Sequence, residues 1–278
     1  MATKSVQLES KFVTVEGVRI HYQEVGEGTP LICIHGAGPG ASSASNFKNN
    51  TPVLSEKFRV ILYDMPQFGK SEKVAIDEGR LTFNGRILKG FMEQINVEKA
   101  SFLGNSMGGQ AALKLAIDNP ERVERLAVIG STPVALSVFN PQPLEGIKMI
   151  AGYYKGDGPS REKMRALVET LVYDSSFLTD DVLEERYQSS IDPEVLDLHA
   201  NRQKPLPKQD LLFELSKIKA KTLLIWGLDD RFGALDIGLT MLRYIQGAQM
   251  HVFSNCGHWA QVEHADEFNR LTTDFFSH

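Results

Sequence analysis

The sequence predicts an α/β fold with a mostly parallel central sheet, helices on both faces and an inserted helical segment. Three observations carry this expectation. Short apolar runs recur along the chain with helical stretches between them, the alternation that builds parallel sheets. Several of these runs are continuous rather than alternating, as strands covered on both faces require. The alternation then breaks between about Thr132 and Leu211, where helical patterns follow one another without strands.

The elements read in order. Phe12 to Val25 alternate in the strand manner around Glu16-Gly17, which predicts a hairpin. Leu31-Ile32-Cys33-Ile34 is a buried strand, followed by His35-Gly36-Ala37-Gly38-Pro39-Gly40. Phe58 to Tyr63 is another, ending at Asp64. Phe91 lies in a helical pattern that leads to a strand over Ala100 to Leu103. Gly104-Asn105-Ser106-Met107-Gly108-Gly109 comes next, and Gly109 to Asp118 reads as a helix. Arg125 to Ile129, Thr222 to Trp226 and Met250 to Phe253 complete the strands. Within the interruption, Met164, Leu167, Val168, Leu171 and Val172 form an apolar helix face after Ser160 as N-cap. Thr179-Asp180-Asp181 opens a second helix with acidic residues in its first turn. Asp192-Pro193 opens a third, with proline at the first helical position. Pro141, Pro143, Pro205 and Pro207 mark the borders. The expected division is a core of residues 1–132 and 212–278 and a helical lid of residues 133–211.

Composition limits the function. The chain has 278 residues and is 42% hydrophobic, enough for one large core. A formal net charge of −5 argues against nucleic acid as a partner and against a polybasic membrane anchor. No run is long enough to span a membrane, and Met1 to Gln7 lacks the apolar centre of a signal peptide. The two cysteines, Cys33 and Cys256, make no disulfide framework. They read as small buried fillers in a protein of the reducing cytoplasm.

Ser106 sits between glycines at a strand-to-helix junction, a sharp turn that pushes its hydroxyl out of the fold. A serine hydroxyl is a weak nucleophile until a base takes its proton, and the base needs a carboxylate to set its tautomer. Chain order supplies both. Gly227-Leu228-Asp229-Asp230 follows the Thr222–Trp226 strand, and Asn255-Cys256-Gly257-His258 follows the Met250–Phe253 strand. Loops at the carboxyl ends of parallel strands converge on one edge of the sheet. From the residues alone, Asp229 and Asp230 both qualify. The glycine-rich run after Ile34 can expose N–H groups to an oxyanion. His21, His199, His251, His264 and His278 read as structural.

Two other motifs compete. Gly36, Gly38 and Ala41 satisfy G-x-G-x-x-A after a strand, with Asp64 about 20 residues on, as a dinucleotide site requires. That reading leaves the serine elbow and the late Asp and His unexplained. Gly69-Lys70-Ser71 resembles the end of a phosphate-binding loop, but Asp64 stands where that motif needs glycine.

These residues resemble the α/β-hydrolases, and specifically the meta-cleavage product hydrolases of bacterial aromatic degradation. The resemblance is most specific in His35-Gly-Ala-Gly-Pro-Gly40, Gly104-Asn-Ser-Met-Gly-Gly109, Trp226-Gly-Leu-Asp-Asp-Arg-Phe232 and Cys256-Gly-His-Trp-Ala-Gln261 with Glu263-His264. It implies hydrolysis of a carbon–carbon bond in a 2-hydroxy-6-oxohexa-2,4-dienoate, giving 2-hydroxypenta-2,4-dienoate and a carboxylic acid. It implies no cofactor and no metal, because the substrate supplies its own electron sink, and a homo-oligomeric state. It also implies roles. Ser106 is the nucleophile, His258 its base and Asp230, rather than Asp229, the orienting carboxylate. The N–H groups of Ala37 and Met107 form the oxyanion hole. Arg186 clamps the substrate carboxylate, and Asn46, Asn105 and Trp259 hold the dienoate oxygens. Gly36, Gly38 and Phe232 complete the substrate site. Two departures stand out: Gln67 replaces a usual glycine, and Gly233 replaces a branched residue. The second predicts a cavity enlarged near C6, suited to a bulky substituent; Phe139, Met149, Ile150 and Phe177 read equally as its wall or as the packed core of the lid. An ordinary carboxylesterase or thioesterase, or a non-catalytic receptor on the same scaffold, would keep the same serine, histidine and aspartate.

Overall fold

Glu16 and Gly17 both take positive φ, 50° and 85°, the turn that matches the twist of a two-residue hairpin. They join β1 (Lys11–Val15) to β2 (Val18–Val25), paired antiparallel with Val15 opposite Val18. The computed structural model describes residues 8–134, 137–139, 143–201 and 205–278; Pro141 lies outside them.

Six further strands follow: β3 (Pro30–Ile34), β4 (Arg59–Tyr63), β5 (Ala100–Asn105), β6 (Val123–Ile129), β7 (Lys221–Gly227) and β8 (Gln249–Phe253). The eight form one sheet in the order β1-β2-β4-β3-β5-β6-β7-β8. The β1-β2 and β2-β4 pairs are antiparallel and the rest parallel. The chain steps from β3 to β4 on one side and returns to β5 on the other, so the loops leaving β3 and β5 diverge. A crevice opens at such a switch point.

Between the strands lie α1 (Ser43–Asn46), α2 (Thr51–Leu54), α3 (Arg80–Gln94), α4 (Met107–Asp118), α5 (Glu145–Gly152), α6 (Arg161–Leu171), α7 (Asp180–Ser190), α8 (Pro193–Ala200) and α9 (Leu235–Tyr244), and after β8 come α10 (Ala260–Glu263) and α11 (Ala265–Ser277). Side chains alternate across each strand, so the continuous apolar runs feed two cores. Ile32, Ile34, Phe102 and Trp226 pack with Phe91 of α3, Leu113 of α4 and Met241 of α9. Leu31, Cys33, Leu103 and Ile225 pack on the other face with Phe268 and Phe276 of α11. Cys33 and Cys256 are free and buried.

Helix α4 begins two residues before the expected Gly109. The glycines continue it because the space admits nothing larger: a Cβ at Gly108 would stand 2.3 Å from the Ile34 carbonyl oxygen, and one at Gly109 2.0 Å from Ser131 Oγ. The segment between β6 and β7 holds α5 to α8 and no strand among the described residues. The expected caps are present: Ser160 accepts from Lys163 N at 3.2 Å and Asp192 from Glu194 N at 2.9 Å. Thr179 caps α7 in the same way. Sequence reading missed α5, whose N-cap is Leu144 with no side-chain cap. This insertion has its own core of Tyr153, Met164, Leu167, Val168 and Leu183, joined by Phe232 from the loop after β7.

Two links tie the insertion to the loop after β8. His258 N–H donates to the Leu171 carbonyl at 2.7 Å. The Glu263 carboxylate accepts from Gly257 N at 2.8 Å and from Tyr173 N at 2.6 Å. Burial pushes the Glu263 carboxyl up, against the opposing pull of these N–H groups. Glu263→Gln turns one acceptor into a donor facing N–H groups. It is expected to cost about 1–2 kcal/mol in urea unfolding and to speed amide exchange at Tyr173 and Gly257. An unchanged midpoint and unchanged exchange would show that the carboxylate holds neither segment.

Candidate active site

Ser106 occupies the single residue between β5 and α4 at φ 51° and ψ −116°, a conformation costly for a residue with a Cβ. The surroundings hold it there. Its N–H donates to the Ile129 carbonyl at 2.7 Å, and its carbonyl accepts from Gln110 N at 3.0 Å. A Cβ at Gly104 would lie 2.5 Å from Gly109 Cα, so strand and helix meet backbone to backbone beneath the serine. Met107 is the first residue of α4, where N–H groups have no intrahelical partner.

His258 Nδ1 lies 2.7 Å from Asp230 Oδ2, with side chains only 4% and 1% exposed. The other carboxylate oxygen accepts from Phe232 N at 2.7 Å and Gly233 N at 2.9 Å. Asp229 turns away and accepts from Cys256 N. The geometry therefore separates two aspartates that spacing alone leaves equivalent. With Nδ1 committed to the carboxylate, Nε2 is the nitrogen free to act as base. Gly130, at φ 53°, backs this pair: a Cβ there would stand 2.7 Å from His258 Nδ1.

Ser106 and His258 line one cavity of about 190 Å³. No hydrogen bond joins them among the described residues. The same cavity is lined by Gly36, Ala37, Gly38, Asn46, Asn105, Met107, Arg186, Phe232 and Trp259. Every expected site residue thus meets here, Asp230 standing behind the imidazole. Sequence reading missed Ala41, Gln110, Thr132, Ile147 and Leu171 on the wall. Gln110 lies one helical turn after Ser106, a spacing that signals a shared face. A larger cavity of about 620 Å³ adjoins at Ala37, Ala41, Met107 and Ile150.

The expected wall near C6 needs correction. Ile150 lines the cavity, but Phe139 and Phe177 are exposed and Met149 packs into the insertion's core. Gly233 is not on the wall either. Its carbonyl accepts from Trp226 Nε1 at 2.7 Å, and a Cβ there would lie 2.8 Å from the Gly130 carbonyl oxygen. The glycine permits close backbone packing and does not enlarge the cavity.

Three buried polar atoms of residues lining this cavity have no hydrogen-bond partner among the described residues: Asn46 Nδ2, Asn105 Oδ1 and Arg186 Nε. Arg186 comes from α7 through a gap that glycines leave open. A Cβ at Gly38 would stand 2.4 Å from its Nη2, and one at Gly40 2.2 Å from its carbonyl oxygen. Burial lowers its pKa to about 10, so it stays charged at neutral pH. Trp259 lies under the guanidinium, 5.1 Å from ring centroid to Cζ. A half-buried cation with no carboxylate partner among the described residues suits an anion.

The dinucleotide reading does not survive. Asp64 is taken by His21 Nδ1 at 2.7 Å, Ser43 N at 2.8 Å and Lys70 N at 3.2 Å. The helix after the glycine loop, α1, has 4 residues. Gln67 takes φ 74°, held by its amide donating to the Val74 carbonyl at 2.6 Å and accepting from Arg80 at 2.9 Å.

The α/β-hydrolase fold family matches residues 29–265. A 2-hydroxy-6-oxo-6-phenylhexa-2,4-dienoate hydrolase from Burkholderia cepacia is 42% identical over 100% of this chain and 99% of its own. A 2-hydroxy-6-oxononadienedioate/2-hydroxy-6-oxononatrienedioate hydrolase from Comamonas testosteroni is 42% identical over 96% of each chain. A solved meta-cleavage product hydrolase from Pseudomonas fluorescens IP01 superimposes with a TM-score of 0.86 at 34% identity, covering 96% of this chain and 97% of that one. The chain belongs to the α/β-hydrolase family and, within it, to the meta-cleavage product hydrolases.

Proposed function

We propose that this protein hydrolyses the C5–C6 bond of a 2-hydroxy-6-oxohexa-2,4-dienoate made by aromatic ring cleavage. The observation that carries the proposal is Arg186, a half-buried arginine whose buried Nε has no partner and whose guanidinium has no carboxylate partner among the described residues, in one cavity with Ser106 and His258. Simple ester hydrolysis has no use for it; a dienoate carboxylate does.

Carbon leaves poorly unless its electrons have a sink. The dienol first becomes a ketone as its hydroxyl proton moves to C5, with His258 relaying it. Ser106 then attacks the C6 carbonyl while His258 takes its proton, and Asp230 stabilises the imidazolium. The N–H groups of Ala37 and Met107 receive the developing oxyanion, a contribution on the order of 3 kcal/mol. Collapse breaks C5–C6, delivering the electron pair into the conjugated carbonyl. Water completes the balance, releasing 2-hydroxypenta-2,4-dienoate and a carboxylic acid. Asn46, Asn105 and Trp259 hold the dienoate oxygens, with Gly36 and Gly38 leaving room for them. The helices of residues 133–211 act as the lid. We assign the enzyme to the cytoplasm as a homo-oligomer. No helix among the described residues is long and apolar enough to cross a membrane, and the free cysteines suit a reducing compartment. Light scattering after size exclusion tests the assembly.

Loss of dienoate absorbance measures the reaction directly. Ser106→Ala and His258→Ala are each expected to lower kcat by about 10³-fold or more, and Asp230→Asn by a comparable factor. Near-normal turnover in either of the first two would refute the mechanism. Arg186→Gln should reduce kcat/KM for a dienoate by about 10–100-fold and leave cleavage of a small p-nitrophenyl ester nearly unchanged. Equal losses on both substrates would favour an esterase.

A further inference from the structure

Ser10 stands one residue before β1, His21 lies on β2, and Asp64 directly follows β4. Strand β2 runs between β1 and β4 in the sheet, so three neighbouring strands bring these residues together. His21 and Asp64 are buried, 4% and 3% exposed, while Ser10 is open to solvent. Asp64 Oδ2 lies 2.7 Å from His21 Nδ1, and His21 Nε2 lies 3.0 Å from Ser10 Oγ. With Nδ1 donating to the carboxylate, Nε2 accepts the hydroxyl proton of Ser10. Lys70 Nζ donates to the same serine oxygen at 3.1 Å. The frame behind this relay is fixed. Asp64 N–H donates to the His21 carbonyl at 3.1 Å. Ser71 Oγ accepts from His21 N at 2.8 Å and donates to the Asp64 carbonyl at 2.7 Å. Burial pushes the Asp64 carboxyl up, but the hydrogen bonds from His21 and Ser43 and the nearby histidines outweigh it, so the group stays ionised at neutral pH.

A purely structural histidine needs its carboxylate and no more. Here an exposed serine sits on the other ring nitrogen, and a cation sits on the serine oxygen. The parts repeat those around His258. The Nδ1–carboxylate distance is 2.7 Å in both places, and in both the second carboxylate oxygen accepts from backbone N–H, that of Ser43 at 2.8 Å for Asp64 and that of Phe232 at 2.7 Å for Asp230. His21, Asp64 and Lys70 line the cavity of about 620 Å³ and not the smaller one that holds Ser106. We propose that Ser10, His21 and Asp64 form a second nucleophilic site, separate from Ser106, that takes an acyl group from small activated esters. Ser10 Oγ bonds to the carbonyl carbon as its proton passes to His21 Nε2, and the Lys70 ammonium meets the developing oxyanion. The ester C–O bond then breaks, and His21 returns the proton to the leaving oxygen. Ser10 ends as an ester and the alcohol departs.

The test uses the full chain carrying Ser106→Ala, which removes the other serine nucleophile. An alkyl fluorophosphonate is the probe, because its adduct on a serine is stable: the Oγ–P bond forms, the P–F bond breaks, fluoride leaves and the proton goes to His21. Intact mass and peptide mapping are expected to find one phosphonyl group per chain, on Ser10. Its formation should be about 100-fold faster than any labelling of the Ser10→Ala/Ser106→Ala protein. Ser10 is exposed, so its replacement leaves the fold intact. His21→Gln in the Ser106→Ala chain, with native circular dichroism, should slow labelling about 100-fold as well. No label on Ser10, equal labelling without Ser10, or an unchanged rate in a folded His21→Gln protein would each overturn the proposal. None of these results bears on dienoate cleavage at Ser106.

Discussion

Backbone contact between β3, β5 and the start of α4 is the constraint on which the site depends. Gly104 meets Gly109 and Gly108 meets the Ile34 carbonyl at distances that exclude any side chain. This closeness forces the one intervening residue, Ser106, into its positive-φ turn. It also brings the free N–H of Met107 beside the loop that carries Ala37, because both loops leave neighbouring strands at the switch point. Ser106 and the N–H groups proposed as oxyanion donors are thus set by one piece of packing. The strain at Ser106 is sustained by the sheet beneath it, through the hydrogen bond to Ile129.

A second tension lies in Arg186. A guanidinium partly withdrawn from water, with no carboxylate partner among the described residues, opposes folding. Trp259 offsets part of that through its ring face. Gly38 and Gly40 are the backbone's concession, since any side chain there would collide with the arginine. The unpartnered atoms of Asn46 and Asn105 add to the same strain. A fold under no demand to bind an anion would be expected to fill this space with apolar side chains, and this supports the proposed role of Arg186.

What the sequence disclosed follows from how local each signal is. Strand runs, the serine elbow and the helix caps at Ser160, Thr179 and Asp192 are written in adjacent residues, and all are found where expected. Asp230 could be told from Asp229 only by family likeness, because both sit in one turn and their difference is a hydrogen bond to a residue 28 positions away. Arg186 is a helix arginine with no local mark. Helix α5 starts without a polar cap, which hid Ile147 on the cavity wall. Gly233 misled for a related reason. A missing side chain does not reveal whether cavity or backbone takes its place, and here the Gly130 carbonyl does.

The insertion is more than a cover. Its Leu171 carbonyl holds the backbone N–H of His258, and its Tyr173 N–H shares the Glu263 carboxylate with Gly257. The same segment supplies Leu171 to the cavity wall, while Phe232 belongs both to the insertion's core and to the stack on His258. Movement of these helices would therefore act on the imidazole as well as on access. Because Asp230 fixes only the far side of the ring, the alignment of Nε2 toward Ser106 rests on the backbone of the loop after β8. That backbone is pinned by the insertion. The position of the imidazole relative to Ser106 is therefore tied to the packing of the insertion as much as to Asp230.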